Sequence, residues 1–132
     1  MSKFNHVLLV EDDPITILVC ERIISLTGFS ERIVSVNNGQ EALDYINSKA
    51  EVTEELPDVI FLDINMPIMN GWEFLDTFAE LHQTLQKVPP IYILSSTVDS
   101  ADESKGMSYP YVKNFLSKPL TKEHLQQIEA EV

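Results

Sequence analysis

Residues 58–71, DVIFLDINMPIMNG, run from an apolar stretch into a single carboxylate and then into a segment of turn formers. Val59, Ile60, Phe61 and Leu62 have the length and composition of a strand covered on both faces. Asp63 closes that stretch. Asn65, Met66, Pro67, Met69 and Gly71 after it read as a loop. A carboxylate at the end of so apolar a strand has a chemical use if the strand belongs to an open parallel sheet. Ligands of such sheets bind outside the carboxyl ends of the strands.

Outward from this stretch the same pattern recurs. His6–Val10 (HVLLV) is continuous and rich in strand-forming residues. Asp13 follows as a helix N-cap with Pro14 at the first helical position. Ile15, Leu18, Val19, Ile23 and Leu26 stand at helical spacing, and Gly28 supplies the stop. Arg32–Val36 reads as a second strand, Asn37-Asn38-Gly39 as a turn, and Ala42, Leu43 and Ile46 as the apolar face of a second helix. Phe74, Phe78, Leu81 and Leu85 line a third helix, which Pro89-Pro90 should end. Ile91–Leu94 is a fourth strand and Val112–Leu116 a weaker fifth. Thr121 begins the last helix, with Leu120 and Leu125 placed as a hydrophobic staple. Residues 97–111 have little apolar periodicity and carry Gly106 and Pro110, so the fourth helix should be short or irregular. Strands alternating with helices imply right-handed crossovers and one parallel sheet.

The residues just after the strands collect chemistry at one edge. They are Glu11, Asp12 and Asp13 after the first, Asp63 after the third, Ser95 and Ser96 after the fourth, and Ser117, Lys118 and Pro119 after the fifth. Crowded carboxylates stay ionised only if a cation joins them. An all-oxygen set without His or Cys suits Mg²⁺ or Mn²⁺ and not zinc. A hydroxyl, an ammonium group and Mg²⁺ together would grip the oxygens of a phosphoryl group. A carboxylate can itself be the nucleophile and become an aspartyl phosphate. Each residue also has a plainer reading. The acidic triplet could simply favour a helix N-terminus, Asp63 could cap a loop, and Ser95 and Lys118 could be structural.

The totals exclude several alternatives. The chain has 132 residues, the size of one domain, and 44% hydrophobic content fills one core. Its 21 acidic and 9 basic residues leave a net charge of −12, which disfavours nucleic acid and anionic membrane surfaces. No apolar run approaches the ~20 residues of a membrane span, and MSKFNHVLLV lacks a signal-peptide core. The single cysteine, Cys20, forms no internal disulfide. A cytoplasmic protein is expected.

With these residues in place, the chain resembles the receiver domain of two-component response regulators from about Asn5 to Ile128. The matching motifs are LLVEDDP, PDVIFLDINMPIMNGWEF, PPIYILSS and FLSKPL. The resemblance implies a flavodoxin-like doubly wound (βα)5 fold with a five-stranded parallel sheet in the order 2-1-3-4-5. It implies one receiver domain over residues 1–132 with no output domain, signalling by binding a partner or passing the phosphoryl group on. Asp63 would accept a phosphoryl group from a phosphohistidine on a sensor histidine kinase or a histidine phosphotransfer protein. Glu11, Asp12, Asp63 and the Asn65 carbonyl would hold Mg²⁺ (or Mn²⁺), with Asp13 as the helix cap. Ser95 and Lys118 would contact the phosphoryl group, Lys118–Pro119 would be cis, and Ser95 with Phe115 would form the switch.

The sequence departs from the family at Ser96, where a small apolar residue is common, and in the fourth-helix region with its Tyr109-Pro110-Tyr111. Gly71 is expected in a backbone conformation that a side chain would penalise. Tyr109 and Tyr111 are candidates for a partner surface and Trp72 for packing. His6, His82 and His124 are read as lying on a strand edge and on helices, away from the site, and Thr97 as flanking it. A phosphatase of the haloacid dehalogenase type would want an acid where Asn65 stands, and a receiver that only binds would not need the whole set of Glu11, Asp12, Asp63, Ser95 and Lys118.

Overall fold

The computed structural model describes residues 4–49, 52, 55–64, 70–85, 87–96 and 99–131. Five parallel strands form one sheet in the order β2-β1-β3-β4-β5. They are β1 (Phe4–Val10), β2 (Ser30–Val36), β3 (Val59–Asp63), β4 (Ile91–Ser95) and β5 (Val112–Ser117), joined through α1 (Pro14–Leu26), α2 (Gly39–Lys49), α3 (Gly71–Leu81) and α4 (Ser100–Met107) and followed by α5 (Lys122–Ala130). No helix among the described residues is long and apolar enough to cross a membrane.

Strand side chains alternate between two cores, as the period of two requires. Leu8 and Val10 of β1 pack with Ala42, Leu43 and Ile46 of α2 and with Phe74 and Phe78 of α3. Val7 and Leu9 pack on the other face with Cys20 and Ile24 of α1 and Leu125 and Ile128 of α5. Asp13 caps α1, its side chain accepting from Thr16 N–H, and Gly28 past the C-terminus takes φ 69°. Thr121 caps α5 reciprocally. Its Oγ1 accepts from His124 N–H at 3.2 Å, and His124 Nδ1 accepts from Thr121 N–H at 3.1 Å. Leu120 and Leu125 beside this cap are buried, as a staple requires.

Several expectations need correction. On α1 the periodic residues are not the core face: Ile15, Leu18, Val19 and Leu26 are 71%, 58%, 42% and 74% exposed. Cys20 and Ile24 are buried instead. The α1 segment is apolar around most of its circumference, so spacing alone selects no face. Burial pushes the Cys20 thiol up to about 11, with the Glu11 charge adding to it, so it is an inert core group. α3 ends at Leu81, well before Pro89-Pro90. A 3-10 turn follows at His82–Thr84, where the Thr84 hydroxyl donates to the Leu81 carbonyl at 2.8 Å. Leu85 is buried beyond the helix. Tyr111 is buried, with its hydroxyl donating to the Leu75 carbonyl, so it offers no partner surface. α4 is short, as expected, but regular.

His6 sits on β1, between β2 and β3, and not at an edge. It is 4% exposed, with Nε2 2.8 Å from the Tyr45 hydroxyl. Burial, then the Arg32 charge, lowers its pKa against the opposing pull of Asp58. Asp58 is itself held low, against burial, by Lys87 and by the Asn5 and His6 N–H groups. A histidine with a depressed folded pKa contributes stability that is full above its unfolded value, near 6.5, and is lost as pH falls through the folded value. The urea midpoint should therefore fall more between about pH 7.5 and about pH 5.5 in the native chain than in a His6→Gln variant. Equal falls would refute the assignment.

Candidate functional site

The carboxyl ends of β1, β3, β4 and β5 meet at one edge of the sheet. Glu11 follows β1, its N–H donating to the Val36 carbonyl at 2.9 Å. It is 1% exposed. Its Oε2 accepts from the N–H groups of Asp12 and Asp13 at 3.1 and 3.2 Å, which locks the carboxylate in place. Its Oε1 lies 2.7 Å from Lys118 Nζ as an ion pair. Asp63 ends β3, buried, with Oδ1 3.5 Å from the same Nζ. Ser95 ends β4, fully buried, and its carbonyl accepts from Lys118 N–H at 2.8 Å. The Lys118–Pro119 bond is cis.

The electrostatics are those of a crowded anionic pocket. Burial raises the Glu11 pKa; Lys118 opposes this and the Asp63 charge adds to it. Burial alone would lower Lys118, but the Glu11 contact and the Asp63 charge outweigh it and raise its pKa. One ammonium group faces two buried carboxylates, and Asp12 stands beside them. One carboxylate oxygen from each of Glu11, Asp12 and Asp63 lies within 4.8 Å of the other two. Three hard oxygen donors, two of them on buried carboxylates, fit a divalent cation such as Mg²⁺.

Glu11, Asp12, Asp63, Ser95 and Lys118 thus come together as expected, with Asp13 kept apart as the cap. Asn65 and Thr97 lie outside the described residues. Ser96 is exposed and joins Lys118, Pro119, Ile15 and Val19 around a cavity of about 350 Å³. Phe115 is half-buried and pairs in register with Ile93, two residues before Ser95. A side chain at Gly71 is penalised, as expected, but not through a positive φ. Its need is for space: a Cβ there would meet Ile64 Cα at 2.6 Å and the Asp63 carbonyl oxygen at 2.8 Å. The exposed face of α1 beside the site went unread in the sequence; the surplus of apolar residues on that helix was the available signal.

Fold and site together define a flavodoxin-like α/β protein with an acidic, lysine-bearing pocket at the carboxyl edge of its sheet. The model of the response regulator receiver domain matches residues 7–129, and the chain belongs to that family of two-component signalling proteins. A two-component response regulator from Cytophaga hutchinsonii superposes with a TM-score of 0.89 at 34% identity, covering 97% of this chain and 96% of that one. A probable methanogenesis regulatory protein, FilR2, from Methanothrix harundinacea is 29% identical over 96% of this chain and 79% of its own length. The receiver domain of the histidine kinase CKI1 from Arabidopsis thaliana, solved with Mg²⁺ and BeF3⁻, shares the fold at 22% identity and a TM-score of 0.82, over 97% of this chain and 91% of that one. The chain spans about half or less of several other curated relatives that it matches.

Proposed function

We propose that this receiver takes a phosphoryl group onto Asp63 from a phosphohistidine of a histidine kinase or phosphotransfer protein and signals by a change of shape. The observation that carries this reading is the placement of Lys118 Nζ against both Glu11 and Asp63, in a pocket where Asp12 adds a third carboxylate. An Asp63 oxygen attacks phosphorus, the phosphorus–nitrogen bond breaks, and the imidazole of the donor leaves. Lys118 holds one of the phosphoryl oxygens and the Ser95 hydroxyl another. Glu11, Asp12 and Asp63, with the Asn65 carbonyl, would hold Mg²⁺, which supplies the positive charge that offsets the incoming phosphoryl oxygens. The Mg²⁺ and BeF3⁻ in the CKI1 structure support this assignment by likeness of fold.

Drawn toward the phosphoryl group, Ser95 leaves room for Phe115 to turn inward, and the surface around α4, β5 and α5 shifts between two populations. The donor docks on the exposed apolar face of α1, where Ile15 and Val19 border the site and Leu18 and Leu26 extend it. Such a patch on a protein of charge −12 marks contact with another protein.

Intact-protein mass after incubation with Mg²⁺ and acetyl phosphate tests the assignment. One phosphoryl group should appear, be absent when EDTA is included, and be removed by hydroxylamine. Absence of the adduct together with failure to bind beryllofluoride would overturn the reading.

A further inference from the structure

We infer that Lys105 and Tyr109 form a latch that ties α4 to α3 and restrains the switch at the phosphoacceptor site; this rests on the phosphoacceptor reading above. α4 has little apolar hold on the protein, since Gly106 is its one buried residue. Gly106 lies flat on the neighbours that would have to move: a Cβ there would meet Ile93 Cδ1 at 2.8 Å and the Phe115 ring at 3.3 Å. A turn of Phe115 therefore alters the contact on which α4 is seated. Two further links among the described residues hold this segment to α3. Lys105 Nζ stands 4.4 Å from the centroid of the Trp72 ring. The Tyr109 hydroxyl donates to Asp76 Oδ1 at 2.6 Å.

These two links match in spacing. Trp72 and Asp76 are four residues apart on α3, one turn along the same face. Lys105 and Tyr109 are four residues apart on α4 and the turn just after it. The latch also reaches the site directly. Trp72 follows Gly71, which lies against the backbone of Asp63 and Ile64. A contact that favours this seating of α4 penalises every arrangement in which α4 has moved. By linkage it also weakens any ligand of Asp63 that favours the moved arrangement. Lys105 and Tyr109 are thus positioning residues for phosphoacceptance, acting through α4 and Phe115.

The test measures beryllofluoride affinity at saturating Mg²⁺, read by the fluorescence of Trp72, the single tryptophan of the chain. Lys105→Met and Tyr109→Phe should each tighten binding about threefold, and the double variant about tenfold. Lys105→Arg, which keeps a cation over the ring, should stay within about twofold of the native affinity. Without any ligand, Lys105→Met and Tyr109→Phe should also speed amide exchange in α4 while leaving α2 and α5 unchanged. Unaltered or weaker affinity in both single variants overturns the latch, as does unaltered exchange in α4. Failure of the native protein itself to bind beryllofluoride would sink the phosphoacceptor reading and the coupling with it, a result separable from a latch that merely does nothing.

Discussion

The Asp63→Asn variant is expected to keep its unmodified mass under conditions in which the native chain gains one phosphoryl group, and to be at least as stable as the native chain. The first part follows from chemistry, because an amide oxygen is neither an adequate nucleophile nor an anionic metal ligand. The second follows from the pocket. Asp63 is a buried carboxylate whose charge helps to raise the Glu11 pKa, and Lys118 keeps its 2.7 Å contact with Glu11 when the charge at position 63 is removed. Removing the repulsion should outweigh the loss of the longer 3.5 Å contact, by about 1 kcal/mol in a urea titration at neutral pH. The sign with pH is fixed by the raised pKa of Glu11. Its contribution is full below its unfolded value, near 4.5, and is lost as pH rises through the folded one. In the Asp63→Asn variant that loss should shrink. A variant both unreactive and clearly less stable would show that Asp63 serves the fold first, and the functional reading of the pocket would weaken.

That trade between function and stability is why much of the site was legible in the sequence. A carboxylate that ends a wholly buried strand, as Asp63 ends Val59–Asp63, has no structural motive strong enough to place it there. The strands were legible for a related reason. β1, β3 and β4 are buried along almost their whole length and read as mostly apolar runs, and each ends at or just before a carboxylate or a serine. The helices were less so. α1 carries apolar residues on both its buried and its exposed face, and periodicity cannot say which side meets the sheet when both are greasy. His6 was misplaced because a histidine in a strand looks like a polar interruption, whereas here Tyr45 pairs with its Nε2 inside the core. The Trp72–Lys105 contact joins residues far apart in the chain with no shared motif, so only the packing of α3 against α4 could reveal it.

Gly71 gives the second large effect, and its reason also lay outside the sequence. A glycine after a loop suggests a left-handed turn, yet Gly71 opens α3 without a positive φ and its N–H donates to the Ile64 carbonyl at 3.1 Å. What the position demands is closeness. The added carbon of Gly71→Ala would lie 2.6 Å from Ile64 Cα and 2.8 Å from the Asp63 carbonyl oxygen, both backbone atoms that cannot swing aside as a side chain would. Alanine ordinarily improves a helix by up to about 1 kcal/mol over glycine. Here the overlap should reverse that and cost about 3 kcal/mol, the upper part of the range for overpacking, as read from the urea midpoint. The strain should also reach the chemistry, since relieving it pushes α3 away from the residue that carries the acceptor carboxylate. Without urea, at a temperature where the variant is fully folded, its phosphorylation by acetyl phosphate should be at least about tenfold slower than that of the native chain. A Gly71→Ala protein of native stability and native rate would mean that α3 can retreat from β3 freely. The tight seating of the helix on the acceptor strand would then have no part in positioning Asp63.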